Sequence, residues 1–156
     1  MADTSSTPRA STLRFQGIAN RIVRTLLATP LLARGVGKRL VTVHVVGRKS
    51  GKRYDVPVAY TRDGDALLIG TPFAWARNLR TGEPVEVRYL GRQRRADVQV
   101  FRDEADVVRY YEVIARDNKQ FASFNKIGFD AAGDPDPQDL QLAWAAGARV
   151  LRLTVT

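Results

Sequence analysis

The stretch LVTVHVVGRKSGKRYDVPVAY, residues 40–60, decides the fold. Val41, Val43 and Val45 alternate with polar residues, which is the two-residue period of a half-buried strand. The segment Gly47–Gly51 reads as a tight turn, and a second strand follows over residues 53–60. Two consecutive strands joined by so short a turn predict an antiparallel hairpin.

Further strands lie on the C-terminal side of this hairpin. Asp63-Gly64-Asp65 indicates a turn into a strand over residues 66–70. Residues 84–90 and 94–101 form another predicted hairpin around Gly91, and residues 149–155 form a late strand. The strands are not separated by regular helices, so a doubly wound parallel sheet is unfavourable. We expect an α+β fold, an antiparallel barrel closed by its strands with helices packed outside.

Helical patterns occur in four places. Apolar residues recur at three- and four-residue steps over 14–29, a short helix is predicted over 74–80, and Asp103 with Asp106 opens a helix as a capping box. Asp136 before Pro137 caps the last helix. The segment 1–13 is small and polar and predicts a disordered tail, which leaves residues 14–156 as one domain.

The composition excludes several classes of site. The 156 residues contain no cysteine and one histidine, so disulfides, thiolate catalysis and a histidine-cluster metal site are excluded, and no metal site is predicted. No apolar run approaches the roughly 20 residues that span a membrane, and no signal-peptide pattern opens the sequence. We therefore expect a cytoplasmic protein.

The positive charge is concentrated in the first third of the chain. Residues 1–54 hold eleven basic residues and one acidic residue, whereas the rest of the chain nearly balances, although the whole carries +9. Such asymmetry favours an anionic ligand near the first third, while a merely solubilising surface stays open as an alternative.

Two segments combine residue types that suit an anionic, ring-containing ligand. In the turn GRKSG, residues 47–51, the glycines permit a tight backbone with exposed N–H groups, and the side chains between them add positive charge and a hydroxyl. In TPFAWARNL, residues 71–79, an aromatic and an amide lie at the start of a helix and could hold a flat ring with a polar edge. The alternatives are a solvated hairpin tip and a hydrophobic plug at the end of the barrel.

These segments, taken in order with VPVAY (56–60), Asp63-Gly64-Asp65 and Pro84-Val85, resemble the deazaflavin-dependent nitroreductase family of actinobacteria. The resemblance covers residues 36–102 and implies a split β-barrel of the type used by flavin-binding oxidoreductases, with coenzyme F-420 as the cofactor. It implies hydride transfer from the reduced coenzyme to a small hydrophobic electrophile, such as a quinone, an enone or a nitro compound. FMN remains the alternative cofactor, because it also presents a ring, a phosphate and a ribityl-type chain.

The resemblance also implies the residues that contact the cofactor. The phosphate end would be held by Arg48, Lys49, Ser50 and Gly51. The ring would be lined by Pro57, Val58, Ala59 and Tyr60 on one side and by Thr71, Trp75, Asn78 and Leu79 on the other. Only four residues separate Gly70 from Trp75, where many relatives have a longer glycine-rich stretch, and this keeps a second function open. That alternative is a non-catalytic barrel that binds or sequesters an anionic cofactor or a fatty acid.

Other chemically active residues have plainer explanations. Tyr60 is the candidate proton donor to a reduced substrate, and a structural hydrogen bond at the end of the barrel is the competing interpretation. His44 has no neighbouring acid or nucleophile in the sequence, so we assign it a structural or surface role. Four aromatic residues near the predicted third helix are expected to pack in the core: Tyr110, Tyr111, Phe121 and Phe124. The alternative is that they line a substrate cleft.

The sequence constrains the binding partners of the protein less firmly than it constrains the fold. No nucleic-acid ligand is expected, because the basic first third has few aromatic side chains on which bases could stack. The arginine-bearing pattern over residues 14–29 fits either a helix that covers the barrel or one that lies on the anionic inner face of the cell membrane. The oligomeric state stays open, a homodimer included.

Overall fold

The structure is a computed structural model that describes residues 39–156, and the predicted tail 1–13 and helix 14–29 lie outside the described residues. Seven strands form one antiparallel sheet. They are β1 (Leu40–Val46), β2 (Arg53–Ala59), β3 (Thr61–Asp63), β4 (Ala66–Thr71), β5 (Val85–Tyr89), β6 (Arg92–Phe101) and β7 (Arg149–Val155). The strand order is β2-β1-β5-β6-β7-β4-β3. The antiparallel pairing confirms the predicted α+β class.

The strand order requires the sheet to curl. Its two edge strands, β2 and β3, are joined by the single residue Tyr60, so their ends lie within about 8 Å of each other. A flat sheet of seven strands would separate its edges by about 29 Å. The sheet is therefore a split β-barrel.

This split barrel confirms the predicted fold, and its opening lies between β2 and β3, which do not pair with each other in the described residues. Antiparallel neighbours need a connection of about two residues, and a one-residue link cannot turn β2 back against β3. The structure instead turns the chain at Tyr60, whose N–H donates to the carbonyl of Arg39 over 3.1 Å. Pro57, which lacks an N–H, fits the unpaired edge of β2.

The sheet separates two hydrophobic cores. The barrel interior contains the inward-facing side chains of most strands, including Val41, Val43 and Val45, which are fully buried as the alternation predicts. The outer face of β4 and β7 carries Leu68 and Val150, which pack against the helices. Alternate residues of the same two strands therefore serve both cores.

Three helices form the outer layer: α1 (Glu104–Asp117), α2 (Lys119–Phe124) and α3 (Pro137–Ala145). Asp136 caps α3 as predicted, since its carboxylate accepts from the N–H of Gln138 over 2.8 Å. Asp103 occupies the N-cap position of α1, but no side-chain capping bond forms there within the described residues, and Asp106 pairs with Arg109 instead. The predicted capping box is therefore absent from this part of the chain.

Four secondary-structure elements differ from the predictions: two were missed, one is a different type of helix and one begins earlier. The strand β3 and the helix α2 were not predicted, because a three-residue strand and a six-residue helix are too short to show a period. The helix expected over 74–80 is a 3-10 helix, Ala74–Asn78. The turn between β5 and β6 is Leu90-Gly91, so β6 begins two residues earlier than predicted.

Candidate functional site

A cleft of about 580 Å³ lies beside the β1–β2 turn and is larger than a second cavity of about 150 Å³ beside Tyr60. We call it the main cleft. Its volume falls in the range of small-molecule and cofactor sites. The lining residues come from β1, the turn, the start of β2, the last residue of the 3-10 helix with the segment after it, and the start of β5; they are His44, Val46, Gly47, Arg48, Gly51, Arg53, Asn78, Leu79, Arg80, Glu83, Pro84, Val85 and Glu86.

The two segments singled out in the sequence meet at this cleft. The backbone N–H of Arg48 donates to Oδ1 of Asn78 over 3.1 Å, although the residues are 30 positions apart. The other end of the same amide is also engaged, since Nδ2 of Asn78 donates to the carbonyl of Trp75 over 3.0 Å. Asn78 thus acts as a clamp between the turn and the 3-10 helix.

The turn itself is tight because of its two glycines. Gly51 has a φ of +69°, and a Cβ on Gly47 would lie 2.8 Å from Oγ of Ser50. Internal hydrogen bonds engage the N–H groups of Gly47 and Gly51, so the exposed amides expected for an anion are reduced to those of Lys49 and Ser50 among the described residues. The Ser50 oxygen accepts from the Lys52 N–H over 3.2 Å.

The charges around the cleft are partly neutralised. Nη2 of Arg48 lies 2.7 Å from Oε2 of Glu83, and Nε of Arg53 lies 3.5 Å from Oδ1 of Asp55. Within residues 39–156, Lys49, Lys52 and Arg80 have no carboxylate within 4 Å. Arg80 lines the cleft, whereas Lys49 and Lys52 belong to the adjoining β1–β2 turn. The carboxylate of Glu86 also lines the cleft and has no basic side chain within 4 Å among the described residues, so the excess of positive charge lies at the turn.

A histidine that lines the cleft pairs with a carboxylate on the neighbouring strand. His44 and Asp55 lie opposite each other on β1 and β2, and Nδ1 of His44 is 2.6 Å from Oδ1 of Asp55. The second ring nitrogen lies 3.2 Å from Oε1 of Gln93. The hydrogen bond with His44 lowers the pKa of Asp55, with a smaller contribution from Arg53.

This pair corrects the interpretation of His44 as a residue without a neighbouring acid. Asp55 is eleven positions away in sequence, so no local motif reveals it. The signal was nevertheless present, because an antiparallel register centred on the GRKSG turn places position 44 opposite position 55.

Other predicted site residues are buried in the barrel. Trp75 and Leu79 belong to the interior core, so they plug this end of the barrel as the alternative interpretation held, although Leu79 also reaches the cleft. Thr71 is buried, and its Oγ1 accepts from the N–H of Phe73 over 3.1 Å. Pro57 and Val58 lie partly exposed along β2, outside the lining of the main cleft.

Tyr60 lies at the opposite end of the barrel from the GRKSG turn. The strand β2 connects the two regions, and its seven residues place them about 20 Å apart. Tyr60 and Ala59 line a smaller cavity of about 150 Å³ together with Arg39 and residues 117–120. Burial raises the pKa of Tyr60, and its ring packs edge-to-face on Tyr89 with centroids 5.6 Å apart.

Comparisons with known proteins find similar folds among solved structures. No family model and no curated protein matches this chain. Among solved structures, a protein assigned to 5-nitroimidazole antibiotic resistance in Bacteroides thetaiotaomicron has a TM-score of 0.45 at 10% identity, covering 77% of this chain and 74% of that one. An F-420 reductase has a TM-score of 0.43 at 11% identity, covering 76% of this chain and 87% of that one. At these scores the fold class rests on the strand pairing of the chain itself.

Proposed function

We propose that this protein is an oxidoreductase that binds the deazaflavin coenzyme F-420 in the main cleft and reduces a small hydrophobic electrophile, such as a quinone, an enone or a nitro compound. The observation that carries the proposal is the hydrogen bond between Arg48 and Asn78, because it joins in one cleft the two segments on which the family resemblance rests. When bound, the reduced coenzyme would supply a hydride to the substrate.

The residues at the cleft fit an anionic cofactor. Lys49 and Lys52 of the turn and Arg80 of the cleft lining have no carboxylate partner within the described residues, and Arg48 can exchange Glu83 for a phosphate. The volume of about 580 Å³ lies in the range of cofactor sites. The protein would bind the anionic end at the turn and limit the access of water to the ring.

Proton transfer in this scheme takes place without Tyr60. That residue does not line the main cleft but a second cavity, about 20 Å from the turn along β2, so a ring held within the main cleft lies away from it. His44 lines the cleft and its Nδ1 is held by the Asp55 carboxylate, so we assign the role of proton donor to His44 in place of Tyr60. Its Nε2 would have to exchange Oε1 of Gln93, 3.2 Å away, for the substrate.

The test is a fluorescence titration of the folded protein with F-420, with FMN in parallel, at low and moderate salt. We expect saturable F-420 binding that weakens with salt and falls at least tenfold in the double variant Arg48→Ala/Lys49→Ala. The matched control, Arg62→Ala/Arg109→Ala, removes the same charge outside the cleft and should leave the affinity within twofold.

Turnover then separates the enzyme from a binding protein. Oxidation of reduced F-420 by a soluble quinone, slowed in His44→Gln with little change in F-420 affinity, supports the oxidoreductase. Tight binding without turnover of any quinone, enone or nitro compound would instead support a barrel that sequesters its anionic ligand. A preference for FMN would mean that FMN is the cofactor in place of F-420. If the protein bound neither F-420 nor FMN, the proposal would be overturned.

A further inference from the structure

The turn between β5 and β6 carries an apolar residue in an unfavourable backbone conformation. Leu90 and Gly91 have φ values of +50° and +77°, so both central residues of this two-residue hairpin are left-handed. Glycine and asparagine suit the first position, whereas a leucine there is sterically disfavoured. Leu90 is also 72% exposed, the highest value among the large apolar side chains of residues 39–156.

Arginines surround this apolar tip. The segment 87–96 contains Arg88, Arg92, Arg94 and Arg95 and no acidic residue. All four are exposed, and none has an Asp or Glu carboxylate within 4 Å in the part of the chain that the structure describes. Nε of Arg94 donates to the main-chain oxygen of Thr156 over 3.0 Å, and Arg95 lies opposite Glu86 in the strand register.

The strand register places the arginines on both sides of the hairpin. Arg92 and Arg94 lie opposite Tyr89 and Val87 on one face. Arg88 lies opposite Gln93, so it shares the other face with Arg95. The tip is thus an exposed leucine with two arginines on each face behind it.

We propose that the β5–β6 hairpin docks on an anionic lipid bilayer. Leu90 would enter the boundary between headgroups and acyl chains, and the arginines would contact lipid phosphates from both faces of the hairpin. Basic residues near a negatively charged leaflet each add to binding, while a single apolar side chain adds an insertion point that does not depend on salt.

A bilayer fits this tip better than a nucleic acid does. Recognition of phosphates alone has no use for a protruding leucine, and single-strand binding needs aromatic rings on which bases can stack. Insertion of the leucine between base steps of a duplex is the alternative that the oligonucleotide arm of the experiment below tests. The nearest ring, that of Tyr89, is half-buried and packs against Tyr60. The proposal does not depend on the function proposed above.

The experiment is co-sedimentation of the full chain with vesicles of phosphatidylcholine, with and without about a third phosphatidylglycerol. The decisive variant is Leu90→Asn, because asparagine tolerates the positive φ and so removes the apolar side chain without disturbing the turn. We expect its partition onto anionic vesicles to fall about tenfold with no loss of thermal stability. Leu142→Gln on α3, which removes another exposed leucine (60% exposed), is the matched control and should partition as the unmodified protein does.

A charge variant completes the test. Arg92→Gln/Arg95→Gln should lower partition onto anionic vesicles at least tenfold, whereas Arg62→Gln/Arg109→Gln should change it less than threefold. The proposal is wrong if the protein binds neither vesicle, or if binding survives Leu90→Asn because another segment, such as residues 14–29, carries it. It is equally wrong if the arginine pair is needed for binding a duplex oligonucleotide while Leu90→Asn leaves vesicle partition unchanged.

Discussion

Gly70 of β4 lies directly against the ring of Tyr111 in α1: a Cβ placed on Gly70 would be 2.7 Å from Cε1 of Tyr111. The same Cβ would be 2.7 Å from Cζ of Phe121. The two rings contact each other edge-to-face, with centroids 5.0 Å apart. The missing side chain of Gly70 therefore sets how closely the helical layer approaches the barrel.

Gly70→Ala should destabilise the protein by about 1–3 kcal/mol, because the added methyl overpacks a contact between rings that have little room to move. Urea denaturation measures the free energy of unfolding. The loss should shrink in Gly70→Ala/Phe121→Leu relative to the sum of the single changes, since a smaller side chain gives the methyl space. Additive losses would show that the strain lies elsewhere.

Tyr111→Phe should leave stability unchanged or raise it by about 1 kcal/mol. The Tyr111 hydroxyl is buried and has no hydrogen-bond partner among the described residues, so the folded state gains when this polar group is removed. The adjacent Tyr110→Phe, at a partly exposed position, is the control and should change stability little. A loss of more than 1 kcal/mol in Tyr111→Phe would mean that the hydroxyl has a partner.

Stability should fall at alkaline pH more steeply in the unmodified protein than in Tyr111→Phe. Burial raises the pKa of Tyr111 well above its ordinary value of 10.0. The contribution of the neutral Tyr111 side chain to the free energy of unfolding is therefore fully present below about pH 10. Above that pH the unfolded state loses the tyrosine proton while the folded state keeps it, so this contribution is lost as the pH rises toward the raised pKa, with a slope of up to about 1.4 kcal/mol per pH unit. Urea midpoints between pH 9 and 11 measure the difference, and parallel curves would contradict the assignment.

Glu83→Gln should strengthen the binding of an anion in the main cleft. The Glu83 carboxylate lies 2.7 Å from the Arg48 guanidinium and competes with any phosphate for it. We expect pyrophosphate to bind about three- to tenfold more tightly at low salt, with the gain lost in Glu83→Gln/Arg48→Ala. Calorimetric titration checks this, and Glu112→Gln on α1 is a control carboxylate that pairs with an arginine outside the cleft.

Much of the fold could be predicted because its signals are local. The alternation around Val43 is sufficient to predict β1, and Asp136 with Pro137 predicts the start of α3. The strand β3 was not predicted, because a strand of three residues is too short to show the two-residue alternation of buried and exposed side chains. The failed capping box at Asp103 shows the limit of such signals, since a suitable residue at the right position need not form the bond.

The candidate site was predicted less completely. The sequence singled out Arg48 and Asn78, and the structure brings both to one cleft. It also singled out Tyr60, which the structure places at the far end of β2. The contribution of Glu83 was missed, because nothing in its neighbourhood along the chain indicates that it faces Arg48.

By itself, the sequence determined six of the seven strands, where the tight turns fall and that the fold is antiparallel. These properties depend on side-chain alternation and on glycine conformations within a few residues. Only the tertiary structure decided that the sheet curls around the one-residue link at Tyr60, that His44 meets Asp55, and that Asn78 clamps the turn at Arg48. Those contacts join residues 11 to 30 positions apart, and they depend on strand register and sheet curvature, which are set by the packing of the whole barrel.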